Sequence, residues 1–176
     1  MADFKSFLQD HADCERKASA MATSLIAKYP DRIKIIHDMI ETAIEELKHF
    51  RRVFDLKQKR RVPLNRDMKE NPYIKQLTPL TLGGTADSRF LSRMVLGSSV
   101  ECRGCERFKM VAEAQEEEEL RKFYKILWTS EAKHGNIFVE LALEYFDEKT
   151  VYARLHEMMA FEGEVVKNLP IQSALQ

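Results

Sequence analysis

Four glutamates and two histidines fall on the apolar faces of four helical segments, and any fold that buries those faces must give them partners. The first segment, about residues 3–27, carries Phe4, Leu8, His11, Glu15, Ala18, Ala22 and Leu25 at spacings of three and four. The second, about 31–59, follows Pro30 and carries Ile35, Met39, Ala43, Glu46, His49, Phe50, Val53 and Leu56. The third, about 87–113 with Asp87 as its expected N-cap, carries Phe90, Met94, Gly97, Glu101, Cys105, Phe108 and Val111. The fourth, about 117–145, starts in a run of acidic residues suited to a helix N-terminus. It carries Leu120, Tyr124, Leu127, Glu131, His134, Phe138, Leu141 and Tyr145. A fifth helix is expected over about 149–167, followed by a short tail with little to tie it down.

Burying one ionised carboxylate costs several kcal/mol unless it is paired or binds a metal. Glu15, Glu46, Glu101 and Glu131, buried together with His49 and His134, are best explained by a cluster of cations. The spacing narrows this further. Glu46–His49 and Glu131–His134 are both Glu-x-x-His, and residues three apart share one helix face, so both side chains can reach one ion. Of the five histidines, only these two have a glutamate three positions earlier. Each pair follows a lone glutamate, Glu15 by 31 residues to Glu46 and Glu101 by 30 to Glu131. One helical hairpin is thus used twice. One glutamate from each of two helices and Glu-x-x-His from each of the other two is the ligand pattern of ferritin-like dinuclear carboxylate bundles. The expected fold is all-α, a ferritin-like four-helix bundle with an additional C-terminal helix, in one domain over residues 1–176. The carboxylate-rich set with one imidazole per metal suits iron or manganese better than zinc.

The third helix offers two glutamates. The stretch "VECRGCERF" holds Glu101 and Glu106, five residues and so roughly 140° apart on a helix. Glu101 shares its face with Phe90, Met94 and Phe108 and keeps the hairpin interval, so it is taken as the ligand. The "CER" shared by residues 14–16 and 105–107 would align Glu106 with Glu15 instead. Glu106 is read as a supporting residue paired with an arginine such as Arg16. Cys102 and Cys105 have a redox or zinc spacing, but they lie within a helix and no second pair completes a zinc site. They are read as small buried packing residues, with Cys105 one turn after Glu101 and beside the metals.

The 176 residues carry 28 basic and 28 acidic side chains, so a nucleic-acid role must come from a local patch. One exists in "KQKRRVPLNRDMKENPYIK", where Lys57, Lys59, Arg60, Arg61, Arg66, Lys69 and Lys75 outnumber Asp67 and Glu70, with Arg51 and Arg52 just before it. It is a candidate phosphate-contacting surface; a solvated basic helix end would look the same. Residues 60–85 otherwise read as a break, with Pro63, Pro72, Pro79 and two consecutive glycines. No apolar run reaches the roughly 18 residues of a membrane span. The N-terminus lacks an apolar signal core, and the odd count of 3 cysteines suits reduced thiols. A cytoplasmic protein is expected.

"DHADCERKASAMATSLIAKYPD" (10–31), "EELKHF" (45–50), "VECRGCERF" (100–108) and "SEAKHGNIF" (130–138) together resemble the tRNA hydroxylase family usually called MiaE. The resemblance covers about residues 10–145. It implies a di-iron monooxygenase that hydroxylates the isopentenyl group of 2-methylthio-isopentenyl-adenosine next to the tRNA anticodon. It implies the same six ligands, two iron ions, O₂ as co-substrate and the anticodon stem-loop as partner. An external electron donor is required, since the chain has no flavin, haem or iron–sulfur motif. Cys105, Phe108, Tyr124 and Phe138 are expected to shape the cavity beside the metals. A monomer is compatible with a fifth helix that covers the bundle. The alternatives are a ferritin- or rubrerythrin-like iron oxidase or peroxidase, and a metal-free helical interaction protein that would leave the buried charges unexplained.

Overall fold

The computed structural model describes residues 3–68 and 70–170, and the expected loose tail therefore lies, beyond Pro170, outside the described residues. Among them the chain is helical without strands, in six α-helices. Helix α1 spans Phe4–Lys28, α2 Ile36–Lys59, α3 Pro72–Leu77, α4 Ala86–Ala114, α5 Glu118–Leu143 and α6 Glu148–Asn168. The four long segments and the fifth helix lie where periodicity put them. Their ends follow capping chemistry. Asp3 accepts from the Ser6 amide at the start of α1, and Asp147 accepts from the Thr150 amide at the start of α6. The N-cap of α4 is Thr85 rather than Asp87: the Thr85 hydroxyl accepts from the Ser88 amide, while Asp87 sits in the first turn. The second segment starts later than expected. After Pro30, Arg32 closes a turn onto the Tyr29 carbonyl (3.0 Å), and a 3₁₀ turn, Ile33–Ile35, precedes α2.

The break between α2 and α4 is not structureless. Asn71 accepts from the amides of Tyr73 and Ile74, and Pro72 occupies the first helical position, where its missing N–H is no loss. Helix α3, at six residues, is too short to display an apolar period in the sequence.

The described chain forms two compact units, divided near residue 69. In the first, α1 packs on α2. Leu8, Ala12, Ala22 and Leu25 are buried from α1 and Ile35, Met39, Ala43 and Val53 from the second segment. Full burial of each large apolar side chain contributes about 1.5–3 kcal/mol. The Ser19 hydroxyl donates to the Ala43 carbonyl (2.9 Å) and ties the two helices. In the second unit α4 packs along α5, and α6 lies against α4. Glycine permits the close approach of α4 and α5: a Cβ at Gly97 would come within 2.8 Å of the Phe138 ring, and one at Gly135 within 2.8 Å of Cys102 Sγ. Arg154 of α6 donates from Nε to the Ser92 hydroxyl (3.0 Å) and from Nη2 to the Leu80 carbonyl (2.5 Å), fixing α6 to α4 and to the 3₁₀ turn Thr78–Thr81.

Candidate metal centre

Helical phase places the ligand candidates inside each unit. In the first, Glu15 of α1 and the Glu46–His49 pair of α2 are all buried. They present one ligand atom each, all within 4.8 Å of one another. His49 Nδ1 lies 3.6 Å from Glu15 Oε2 and 3.6 Å from Glu46 Oε2. In the second unit, Glu101 of α4 and the Glu131–His134 pair of α5 are buried and converge in the same way, within 4.8 Å. His134 Nδ1 lies 3.7 Å from Glu131 Oε2. Each unit therefore gathers two carboxylates and one imidazole nitrogen close together. Those separations are too long for hydrogen bonds and right for donors arranged around an ion. Buried carboxylates and imidazole are a donor set that fits iron or manganese, and such a cluster suits a metal centre.

Glu106 does not compete with Glu101. It is exposed, and its Oε2 accepts from Arg103 Nη1 at 2.6 Å. The expected Arg16–Glu106 pair is replaced by two others. Arg16 donates to Asp13 one turn earlier and lies over the Phe50 ring, 5.3 Å from its centroid, while Glu106 is held by Arg103 on its own helix. A pairing three residues apart on one helix costs little chain entropy, which favours these local partners.

Cys102 and Cys105 are not the buried residues expected: Cys102 is exposed and Cys105 half-buried, as is Cys14. Burial of the sulfur is the leading cause that raises all three thiols above their ordinary pKa, most strongly at Cys14, where Asp10 and Glu15 add to it. A thiol that holds its proton at neutral pH is a poor nucleophile, which disfavours a redox role for Cys102 and Cys105. Phe108, Tyr124 and Phe138 are buried on the ligand faces of α4 and α5. The Phe108 and Tyr124 rings lie 5.8 Å apart.

The basic segment divides. Lys59, Arg61 and Arg66 are exposed, and Arg60 is half-buried with its guanidinium 5.7 Å from the Phe4 ring centroid. Lys57 is wholly buried and does not belong to that surface. Its Nζ donates to Gln9 Oε1 (2.6 Å), and Gln9 in turn donates to Asp13 Oδ1 (3.0 Å). The same Gln9 oxygen accepts from the Asn65 amide (3.1 Å), so one side chain ties α1, α2 and the following loop. Burial lowers the Lys57 pKa, and the nearby Asp13 opposes that shift. The position of Lys57 four residues after Val53 on the apolar face was the available signal. Lys75 lies on α3 and is exposed, with Nζ 2.9 Å from Glu70 Oε2. Lys69 lies outside the described residues.

The family model described as tRNA-(MS[2]IO[6]A)-hydroxylase (MiaE) matches residues 1–174. The chain belongs to the MiaE family. A member from Pseudomonas putida, the tRNA 2-(methylsulfanyl)-N(6)-isopentenyladenosine(37) hydroxylase, is 35% identical over 96% of this chain and 80% of its own. The enzyme of the same name from Salmonella typhimurium is 28% identical over 76% of this chain and 48% of its own, so the match spans about half of that relative. Among solved structures, a Synechococcus protein with aldehyde deformylating oxygenase activity superposes with a TM-score of 0.91 at 25% identity, over 99% of this chain and 87% of that one. The MiaE chain described here thus has the ferritin-like all-α fold expected from its ligand pattern. No helix among its described residues is long and apolar enough to cross a membrane.

Proposed function

We infer that the two Glu/Glu/His triads together hold two iron ions, and that the protein is an O₂-dependent monooxygenase hydroxylating the isopentenyl group of 2-methylthio-isopentenyl-adenosine in tRNA. The observation that carries the reading is the pair of buried triads in a chain that belongs to the MiaE family. When bound, iron would supply reductive activation of O₂ and transfer of one oxygen atom to a C–H bond.

The chain's own residues do the rest. Glu15, Glu46, His49, Glu101, Glu131 and His134 fix the metals in a buried setting. Phe108, Tyr124 and Phe138, on the same helix faces, supply apolar surface that keeps water from the reacting group. The exposed Arg51, Arg52, Lys59, Arg61 and Arg66 of the first unit offer cations to the phosphates of the anticodon stem-loop. The target base must leave its stack to approach buried metals, as loop bases commonly do when proteins read them. Electrons come from a separate cytoplasmic donor.

The test is incubation of iron-loaded protein with isopentenylated tRNA, O₂ and a chemical reductant, followed by mass spectrometry of the nucleosides. The reading expects one oxygen atom added to the isopentenyl-adenosine. Oxidation of added Fe(II) with untouched tRNA would point instead to an iron oxidase.

A further inference from the structure

The outward face of α2 carries an apolar stripe. Ile40, Ile44 and Leu47 are 41%, 40% and 52% exposed. Their spacings of four and three residues are those of a coiled-coil seam. Single exposed apolar residues are ordinary, but three in succession along one helix face mark a surface that another protein covers.

The charges beside the stripe say which protein. Glu41 follows Ile40 and Lys48 follows Leu47, and both are exposed. Seven residues apart, they lie on the same flank of the stripe with opposite sign. Such a face complements itself when a second copy lies antiparallel on it, because a two-fold contact uses the same patch on both copies. With the two-fold axis level with the midpoint of Ile44 and Leu47, Ile44 of each copy meets Leu47 of the other. Glu41 of one copy and Lys48 of the other are then level to within about two residues, roughly 3 Å along the helix, and their ion pair forms twice. Ile40 lies against the aliphatic stem of the exposed Arg51, whose charged head stays in water. Moving the axis to the midpoint of Ile40 and Ile44 would set Glu41 against Glu41, so charge selects the first register.

We propose that the outward face of α2 is the interface of an antiparallel homodimer, with Ile40, Ile44 and Leu47 at its centre and Glu41–Lys48 ion pairs at its edge. Helix α2 then carries the candidate ligands Glu46 and His49 on its inner face and the dimer contact on its outer one.

The test is sedimentation equilibrium of the full chain over a concentration series, with circular dichroism as the check on folding. The wild-type protein is expected to form a concentration-dependent dimer. Ile44→Glu, which changes an exposed side chain, should raise the dimer Kd by about tenfold or more. Glu41→Lys and Lys48→Glu each set like charges together twice, and each should weaken the dimer about tenfold or more. The double reversal should restore it. A wild-type chain that stays monomeric would overturn the proposal and leave the face to a different partner, such as the electron donor. A dimer untouched by Ile44→Glu would place the contact elsewhere and overturn it as well. So would a double reversal no tighter than either single one. Should Ile44→Glu lose its helical signal, the charge reversals at exposed positions decide.

Discussion

Arg103 grips Glu162 with two donors: its Nε is 2.8 Å from Oε1 and its Nη2 2.8 Å from Oε2. Tyr73 adds a third bond from its hydroxyl to Oε1 (3.1 Å), so one buried carboxylate joins α3, α4 and α6, and its partner Arg103 stands two residues after the candidate ligand Glu101. Removing Glu162 takes away both bonds of that grip and the acceptor of the buried Tyr73 hydroxyl and leaves Arg103 only its exposed partner Glu106, which is costlier than losing a surface pair. Glu162→Ala should therefore lower unfolding free energy by about 2–4 kcal/mol in denaturant melts. A loss below about 0.5 kcal/mol would show that the cluster contributes no more than a surface pair.

Tyr73 also predicts a pH dependence. Burial is the main cause, with the Glu162 charge second, that pushes its phenol far above the usual value of 10.0. A folded pKa raised above the unfolded one contributes stability that is complete below about pH 10 and is lost as the pH climbs beyond it. The difference in stability between the wild-type protein and Tyr73→Phe should be flat from neutral pH to about pH 10 and then shift in favour of the variant. Thermal melts across that range read it directly, and a pH-independent difference would contradict the burial.

Glycines in two helices make a paired test. Gly97→Ala drives a methyl group into the Phe138 ring, whereas a Cβ at Gly163 on α6 meets nothing within 4 Å. Gly97→Ala should destabilise by about 1–3 kcal/mol through overpacking. Gly163→Ala should stabilise by about 0.5–1 kcal/mol, because alanine is the better helix former. Equal effects in denaturant unfolding would mean that α4 and α5 do not approach as closely as described.

Arg61 is the one non-glycine residue with positive φ (54°) among the described residues. It stands just past α2, where the Val62 amide bonds the Lys57 carbonyl (2.9 Å) and the Arg61 amide bonds the Gln58 carbonyl (3.0 Å). That pairing is the Schellman motif, whose left-handed position usually holds glycine. Arg61→Gly should raise stability by about 1 kcal/mol. If Arg61 contacts phosphate, the same change should weaken tRNA binding at low salt and reduce its salt slope by about one. Lys57→Met should leave that slope unchanged, because its ammonium is turned inward to Gln9. Filter binding across a salt series separates the two, and equal slopes for all three proteins would remove Arg61 from the RNA surface.

The gathering of the candidate site was legible because ligation of a metal would impose a spacing rule that sequence displays directly. Glu46–His49 and Glu131–His134 can serve one ion only from one helix face, and their burial with Glu15 and Glu101 suits a metal centre. Helical phase separates Glu101 from Glu106, and the first is buried and the second exposed. What stayed hidden depended on contacts distant in sequence or on very short elements. The bond from Lys57 to Gln9 crosses 48 positions, and its basic neighbours made it look like part of a surface. His11 stood on the correct face of α1, yet nothing in its spacing says that its Nε2 lies 2.7 Å from Glu15 Oε1. Helix α3 announces itself only through Asn71 and Pro72, a cap signal without a period behind it.

The central claim is that six side chains hold two irons. The most direct measurement is iron bound per chain after anaerobic reconstitution and desalting, compared among the wild-type protein, Glu101→Ala and Glu106→Ala. The account predicts about two irons per chain in the wild-type protein and in Glu106→Ala, with loss of the normal two-iron optical spectrum in Glu101→Ala. A folded wild-type protein that retains no iron, or a centre that survives Glu101→Ala and fails in Glu106→Ala, would contradict it.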